Sequence, residues 1–120
     1  MYDVPACEVS VLLTNDAALR ELNQQYRGID AATDVLTFPG GDYGPLGDIA
    51  ISVDTAKRQA RFRRDTLANE IVFLTIHGGL HLLGYEDETE AGRDEMVVRM
   101  NAVAVELGLS PEPEWSSMPH

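Results

Sequence analysis

The chain has 120 residues, nine basic and twenty acidic side chains, and a formal net charge of −11. That length suits a single domain, residues 1–120, with one hydrophobic core, and the lone cysteine, Cys7, rules out an intrachain disulfide and fits a reduced, cytoplasmic setting in which it reads as a small buried hydrophobe. The N-terminus lacks the basic and apolar regions of a signal peptide, no apolar run approaches the roughly 18 residues of a membrane span, and the acidic balance argues against general nucleic-acid binding, DNA included.

In chain order, Glu8 to Leu13 reads as a first strand, ending in the apolar run Val11-Leu12-Leu13. Thr14-Asn15-Asp16 is a capping cluster for a short helix over Ala17–Tyr26, which Gly28 closes. Thr33 to Phe38 is β-branched and aromatic and predicts a second strand. A glycine-rich loop, Gly40–Gly47, separates it from a third, Leu46–Val53, close enough for the two to form a hairpin. Asp54 starts a helix that runs to about Arg64, and Asp65 or Thr66 caps another that runs to about Leu83. The middle of that helix, Ile71 to Ile76, is apolar nearly all round, which marks a buried helix. Met96, Val97, Met100, Val103, Ala104 and Leu107 recur at helical spacing in a last helix, ended by Gly108, with Pro111 and Pro113 beyond it and a loose tail over 110–120. The expected class is α+β: a small mixed sheet packed against helices, with a central buried helix carrying two histidines.

Those two histidines, His77 and His81, are four residues apart, so on a helix they lie one above the other and reach the same point. Gly84 can end the helix in a left-handed conformation and turn the chain back. Asp87 can then reach that point as a third ligand. The pattern H-x-x-x-H-x-x-G-x-x-D keeps the spacing of the metzincin zinc motif, with aspartate in third place. Two imidazoles and a carboxylate are ordinary zinc ligands, and three protein ligands leave a fourth position for water, the mark of a catalytic rather than a structural site. The glutamate that serves zinc peptidases as general base, one residue after the first histidine, is here Gly78. That counts against a metzincin-like metalloprotease.

Five of the nine basic residues fall in one segment, Lys57, Arg58, Arg61, Arg63 and Arg64. A compact cationic patch on an acidic body can grip a phosphate backbone; equally, it can be a solvated helix face whose arginines lie over apolar surface.

The motifs together resemble the bacterial YbeY family of metal-dependent endoribonucleases and ribosomal-RNA maturation factors. The family signature H-G-x-L-H-L-x-G-Y-D-H is matched from His77 through Tyr85 and departs only at its last two positions, Glu86 and Asp87. Leu22-Asn23-Gln24-Gln25-Tyr26-Arg27-Gly28, Thr33-Asp34-Val35-Leu36-Thr37-Phe38-Pro39 and Leu46-Gly47-Asp48-Ile49-Ala50-Ile51-Ser52 match three further segments.

The resemblance implies an enzyme that cuts single-stranded RNA and trims precursor ribosomal RNA, notably the 3′ end of the small-subunit RNA, with a protein of the small ribosomal subunit as partner. It implies one zinc ion on His77, His81 and Asp87. Because the family's third ligand is histidine and here it is aspartate, other divalent metals become possible, and Glu86 or Glu88 can stand in if the loop shifts. It makes Arg27 the catalytic candidate away from the metal, holding a phosphate bidentately. Arg27, Lys57, Arg58, Arg61, Arg63 and Arg64 are the expected RNA contacts. Asp34 and Asp48 are expected to bond turn amides, and Thr37 and Ser52 to line the cleft. The family has a further strand and helix before the equivalent of Glu8, so an exposed sheet edge is expected. A non-catalytic ribosome-associated factor stabilised by its metal is the remaining alternative.

Overall fold

A computed structural model describes residues 9–40 and 47–111. Cys7, most of the glycine-rich loop and the tail beyond 111 lie outside the described residues. Three strands and four helices follow in the order β1 (Val9–Thr14), α1 (Asp16–Arg27), β2 (Val35–Pro39), β3 (Gly47–Ser52), α2 (Val53–Arg63), α3 (Leu67–Leu82) and α4 (Glu90–Glu106). The expected elements are all present, and the class is α+β as the sequence implied.

The sheet is mixed, in the order β1-β3-β2. β2 and β3 pair antiparallel, as the hairpin reading requires. β1 pairs parallel with β3, Val9 opposite Gly47 and Thr14 opposite Ser52, so the last strand in the chain becomes the central one. Alternation along the strands divides the core in two. Val35, Ile49 and Ile51 face α2, α3 and α4, packing with Ala56, Phe73, Leu74, Leu80, Met96 and Met100. Leu36 and Ala50 face the other way, onto Leu19 of α1, with Leu22 and Phe38 at the margin. Burying a leucine or phenylalanine of this kind stabilises the fold by about 1.5–3 kcal/mol. Val9, Val11, Leu12 and Leu13 of β1 are exposed, so this side of the sheet is an open apolar edge.

Each helix starts on a side chain that accepts a backbone N–H, which satisfies one of the donors a helix start leaves over. Asn15 accepts from Ala18 and Thr66 from Asn69. The cap of α2 is Ser52 rather than Asp54: its hydroxyl accepts from the Thr55 N–H and donates to Asp16. Ser52 is therefore buried at a helix junction and does not line the cleft. α4 begins at Glu90 behind a Thr89 cap, ahead of its first apolar position, because its opening turns are polar. The left-handed residues at helix ends are Gly28 (φ 70°), Gly84 (φ 100°), Gly108 (φ 83°) and one non-glycine, Arg64 (φ 57°). At that position an L side chain costs about 1–2 kcal/mol.

Candidate metal centre

The site is built at the C-terminal end of α3. Gly78 lies on the face of the helix that meets the sheet: a Cβ there would stand 3.1 Å from Ile49 Cγ2 and 3.2 Å from Thr37 Cγ2. The missing side chain lets α3 lie close on β2 and β3, which holds His77 almost fully buried, 2 % exposed. It also removes the room that the glutamate of a zinc peptidase would need.

Past Leu82 the helix unwinds through Gly84, and the Tyr85 N–H donates back to the Leu80 carbonyl at 3.0 Å. That turn brings Asp87 over the histidines. Asp87 Oδ2 lies 3.4 Å from Nε2 of both His77 and His81, and the two Nε2 atoms are 3.0 Å apart. A tetrahedral ion with bonds of about 2.0–2.1 Å has ligand atoms about 3.3–3.4 Å from one another. The two separations from Asp87 match that geometry, and the two imidazole nitrogens stand a few tenths of an ångström closer together than it requires. The tautomer of His81 follows from its other nitrogen. Nδ1 lies 3.1 Å from the Tyr85 carbonyl, which only accepts, so Nδ1 carries the proton and Nε2 presents its lone pair to the shared point. Among the described residues His77, His81 and Asp87 form the one group of this kind that could hold a metal ion.

Glu86 does not replace Asp87. Its carboxylate accepts from the Glu88 and Thr89 N–H groups and from the Thr89 hydroxyl at 2.8 Å. The Thr89 hydroxyl first, and then the two N–H groups, hold its carboxyl below the usual range. It is a clasp at the start of α4, and Gly92 makes space for it: a Cβ at Gly92 would stand 2.1 Å from Glu86 Oε1. Arg93 donates to the Glu88 carbonyl at 3.2 Å from the same helix. Glu86 and Gly92 are thus positioning residues for Asp87 that sequence reading missed. The only signal was a glycine inside a helical stretch. Glu88 faces the cleft.

That cleft, about 200 Å³, is lined by Arg27, Val35, Leu36, Thr37, His81, Asp87 and Glu88. Arg27 closes α1, and the backbone behind it is tied down. The Gly28 N–H donates to the Gln24 carbonyl, and the buried Asn23 amide donates to the Ala31 carbonyl at 2.9 Å. An exposed guanidinium and a three-ligand cluster therefore share one opening. Thr37 lines it, as expected. Asp34 is fully buried and accepts from the Gln59 side chain at 3.2 Å and from the Thr33 hydroxyl. Asp48 is an exposed residue within β3.

The basic residues of α2 are not brought to the cleft. Arg63 pairs with the buried Glu70 in the first turn of α3, and His81 stands eleven residues further along that helix, about 16 Å at 1.5 Å per residue. Arg58 is held by Asp16 at 2.8 Å. Lys57, Arg61 and Arg64 are exposed, with no ion pair among the described residues.

A sheet edge facing a helix that offers two imidazoles, and a carboxylate folded back from the loop behind it, define a protein of the zincin-like kind. The sequence model of the endoribonuclease YbeY family matches residues 2–108, and the chain belongs to that family. An endoribonuclease YbeY of Moorella thermoacetica is 49% identical over 116 residues, 85% of this chain and 74% of that protein. One of Wolinella succinogenes is 44% identical over 99 residues, 77% of this chain and 71% of the relative. The solution structure of TM1509 from Thermotoga maritima matches with a TM-score of 0.59 at 33% identity, over 88% of this chain and 73% of that one.

Proposed function

We propose that this chain is a zinc-dependent, single-strand-specific endoribonuclease of the cytoplasm. It trims precursor ribosomal RNA, notably at the 3′ end of the small-subunit RNA, serves ribosome quality control, and docks on a protein of the small subunit. The observation that carries the reading is the convergence of His77, His81 and Asp87 in a cleft that Arg27 also lines. The RNA substrate and the hydrolytic class are those of the relatives, which are endoribonucleases by name.

His77, His81 and Asp87 would hold the zinc ion, or another divalent metal that the aspartate suits, and the ion would supply Lewis-acid chemistry at the phosphate. Arg27 holds the scissile phosphate with two parallel N–H donors and offsets the charge that develops on its oxygens. The Tyr85 carbonyl keeps the His81 ring in its ligating tautomer. A metalloprotease is disfavoured because Gly78 is packed against the sheet.

The test is cleavage of single-stranded against double-stranded RNA, with and without chelator, in the wild type and in Arg27→Ala. The expected result is cleavage of the single strand only, abolished by chelation. Arg27→Ala should lower kcat/KM by about 10²–10³-fold, with metal content and melting temperature unchanged. Wild-type cleavage by Arg27→Ala would remove arginine from the mechanism, and peptide hydrolysis without RNA cleavage would remove the nuclease.

A further inference from the structure

Thr37 lies on β2 opposite Ile49 of β3, with its side chain on the face of the sheet that meets α3. Its methyl group is taken up there: the Cβ that Gly78 lacks would stand 3.2 Å from Thr37 Cγ2. A β-branched side chain has few choices at χ1, so a methyl packed against a helix fixes the hydroxyl with it. Thr37 is half-buried in the wall of the metal cleft. With the methyl turned to α3, the hydroxyl is the polar atom it presents there. Among the described residues this hydroxyl makes no hydrogen bond. The other polar side chains of the cleft have narrower uses. Arg27 only donates, an ionised Glu88 only accepts, and His81 and Asp87 belong to the metal group. Thr37 is the neutral member, able to donate and to accept. A phosphate needs donors, which Arg27 supplies. The 2′-hydroxyl of a ribonucleotide sits on the carbon next to the one that carries the 3′-phosphate, so a phosphate held in the cleft brings it along. That hydroxyl is itself donor and acceptor, and it is what tells RNA from DNA.

We propose that the Thr37 hydroxyl hydrogen-bonds the ribose 2′-hydroxyl of the nucleotide whose 3′-phosphate Arg27 holds, and that this contact makes the cleft prefer RNA to DNA. The contact rests on the reading of the chain as an RNA enzyme and adds the group that checks the sugar. Selectivity then comes from the sheet and not from the loop that carries Asp87. β2 is held by its ladder to β3, and the Thr37 rotamer by its packing on Gly78, so the hydroxyl meets the sugar with little left to order. A 2′-deoxy sugar would set a C–H group against it and leave it without a partner.

The test measures binding to the metal-loaded protein by titration calorimetry. The probes are a nucleoside 3′-monophosphate and its 2′-deoxy counterpart, neither of which has an internucleotide bond to cut. Wild type should bind the ribose form about three- to ten-fold more tightly, the range of one net hydrogen bond. Thr37→Val keeps a methyl against Gly78 and suits a strand, so it should fold as before and bind both probes alike. Thr37→Ser keeps the hydroxyl and should retain most of the preference. A wild type that binds the two probes equally overturns the proposal. So does an equal loss for both probes in Thr37→Val, which would put the hydroxyl on the phosphate. So does loss of the preference in Glu88→Gln while Thr37→Val keeps it, which would give the sugar contact to Glu88. Failure of the wild type to cut RNA, with the Thr37-dependent preference intact, would refute the nuclease reading and leave this contact standing. Cleavage of RNA, with the preference unmoved in Thr37→Val, would do the reverse.

Discussion

Two clusters of polar side chains tie this molecule together, and they differ in the balance of protons. At the junction of α1 and α2 the Asp16 carboxylate accepts from the hydroxyls of Ser52 and Thr55 and from Arg58. Donors outnumber acceptors, and the negative charge is answered within the protein. At the end of α3 the Nε2 atoms of His77 and His81 and a carboxylate oxygen of Asp87 meet at separations of 3.0–3.4 Å. The first cluster is complete as a piece of architecture. The second is a group of three side chains that could hold a metal ion.

The largest effect should come from breaking the second cluster. His81→Ala removes a ligand and the bond that orients it, so metal content by mass spectrometry should fall to background. Folding stability should fall with it. An ion present at a thousand times its Kd contributes about 4 kcal/mol to a protein that binds it only when folded. Wild-type protein treated with chelator should lose the same amount in a thermal melt, and chelator should have no further effect on His81→Ala. Asp16→Asn is the matching break in the first cluster. It should lower the melting temperature and leave metal content as it was. Retained metal in His81→Ala would show that the ligand set is wrong.

The contrast between the clusters was half legible in the sequence. Histidines at helical spacing and a glycine that turns the chain are local features, and local spacing fixes where His77, His81 and Asp87 go. The helix and strand spans were legible for the same reason. The parallel pairing of β1 with β3 was not, because it is set by how α1 crosses the sheet. Nor was the Asp16 cluster, whose members are far apart in the chain, or the fate of Arg58 and Arg63. Both read as cations available to RNA, and both are engaged by carboxylates, Asp16 and Glu70, that only the fold brings near. Ser52 shows the same limit: a cap at a helix junction and a residue lining a cleft look alike until the neighbours are known.

A middle-sized effect should come from the clasp that holds the third ligand. Gly92→Ala puts a methyl group where the Glu86 carboxylate lies, so Glu86 must leave Thr89 and the loop carrying Asp87 loosens. Outer contacts of this kind are worth about 10–100-fold in metal affinity. Competition against a chromogenic chelator should show a loss in that range, although alanine improves the intrinsic helix propensity of α4. Glu86→Ala should give a similar loss, and the double variant little more than either alone, because both changes undo one contact. Additive losses would mean that Gly92 and Glu86 act separately.

The smallest effect is a pH dependence that belongs to the first cluster alone. Burial pushes the Asp16 carboxyl up, but the Ser52 and Thr55 hydroxyls and the Arg58 guanidinium together outweigh it and hold the group below its ordinary value of 3.8. A carboxyl depressed in the folded state binds its proton more readily when unfolded. Its contribution is therefore fully present above the unfolded value, about 3.9. It is lost as pH falls through the lower folded value. In acid titrations followed by circular dichroism, Asp16→Asn should be less stable than wild type near neutral pH, and the gap should close below about pH 4. The carboxylate is partly exposed, so high salt should also narrow the gap. A gap that stays constant through the acid range would mean that Asp16 stabilises the junction through hydrogen-bond geometry that asparagine cannot copy, and not through its charge.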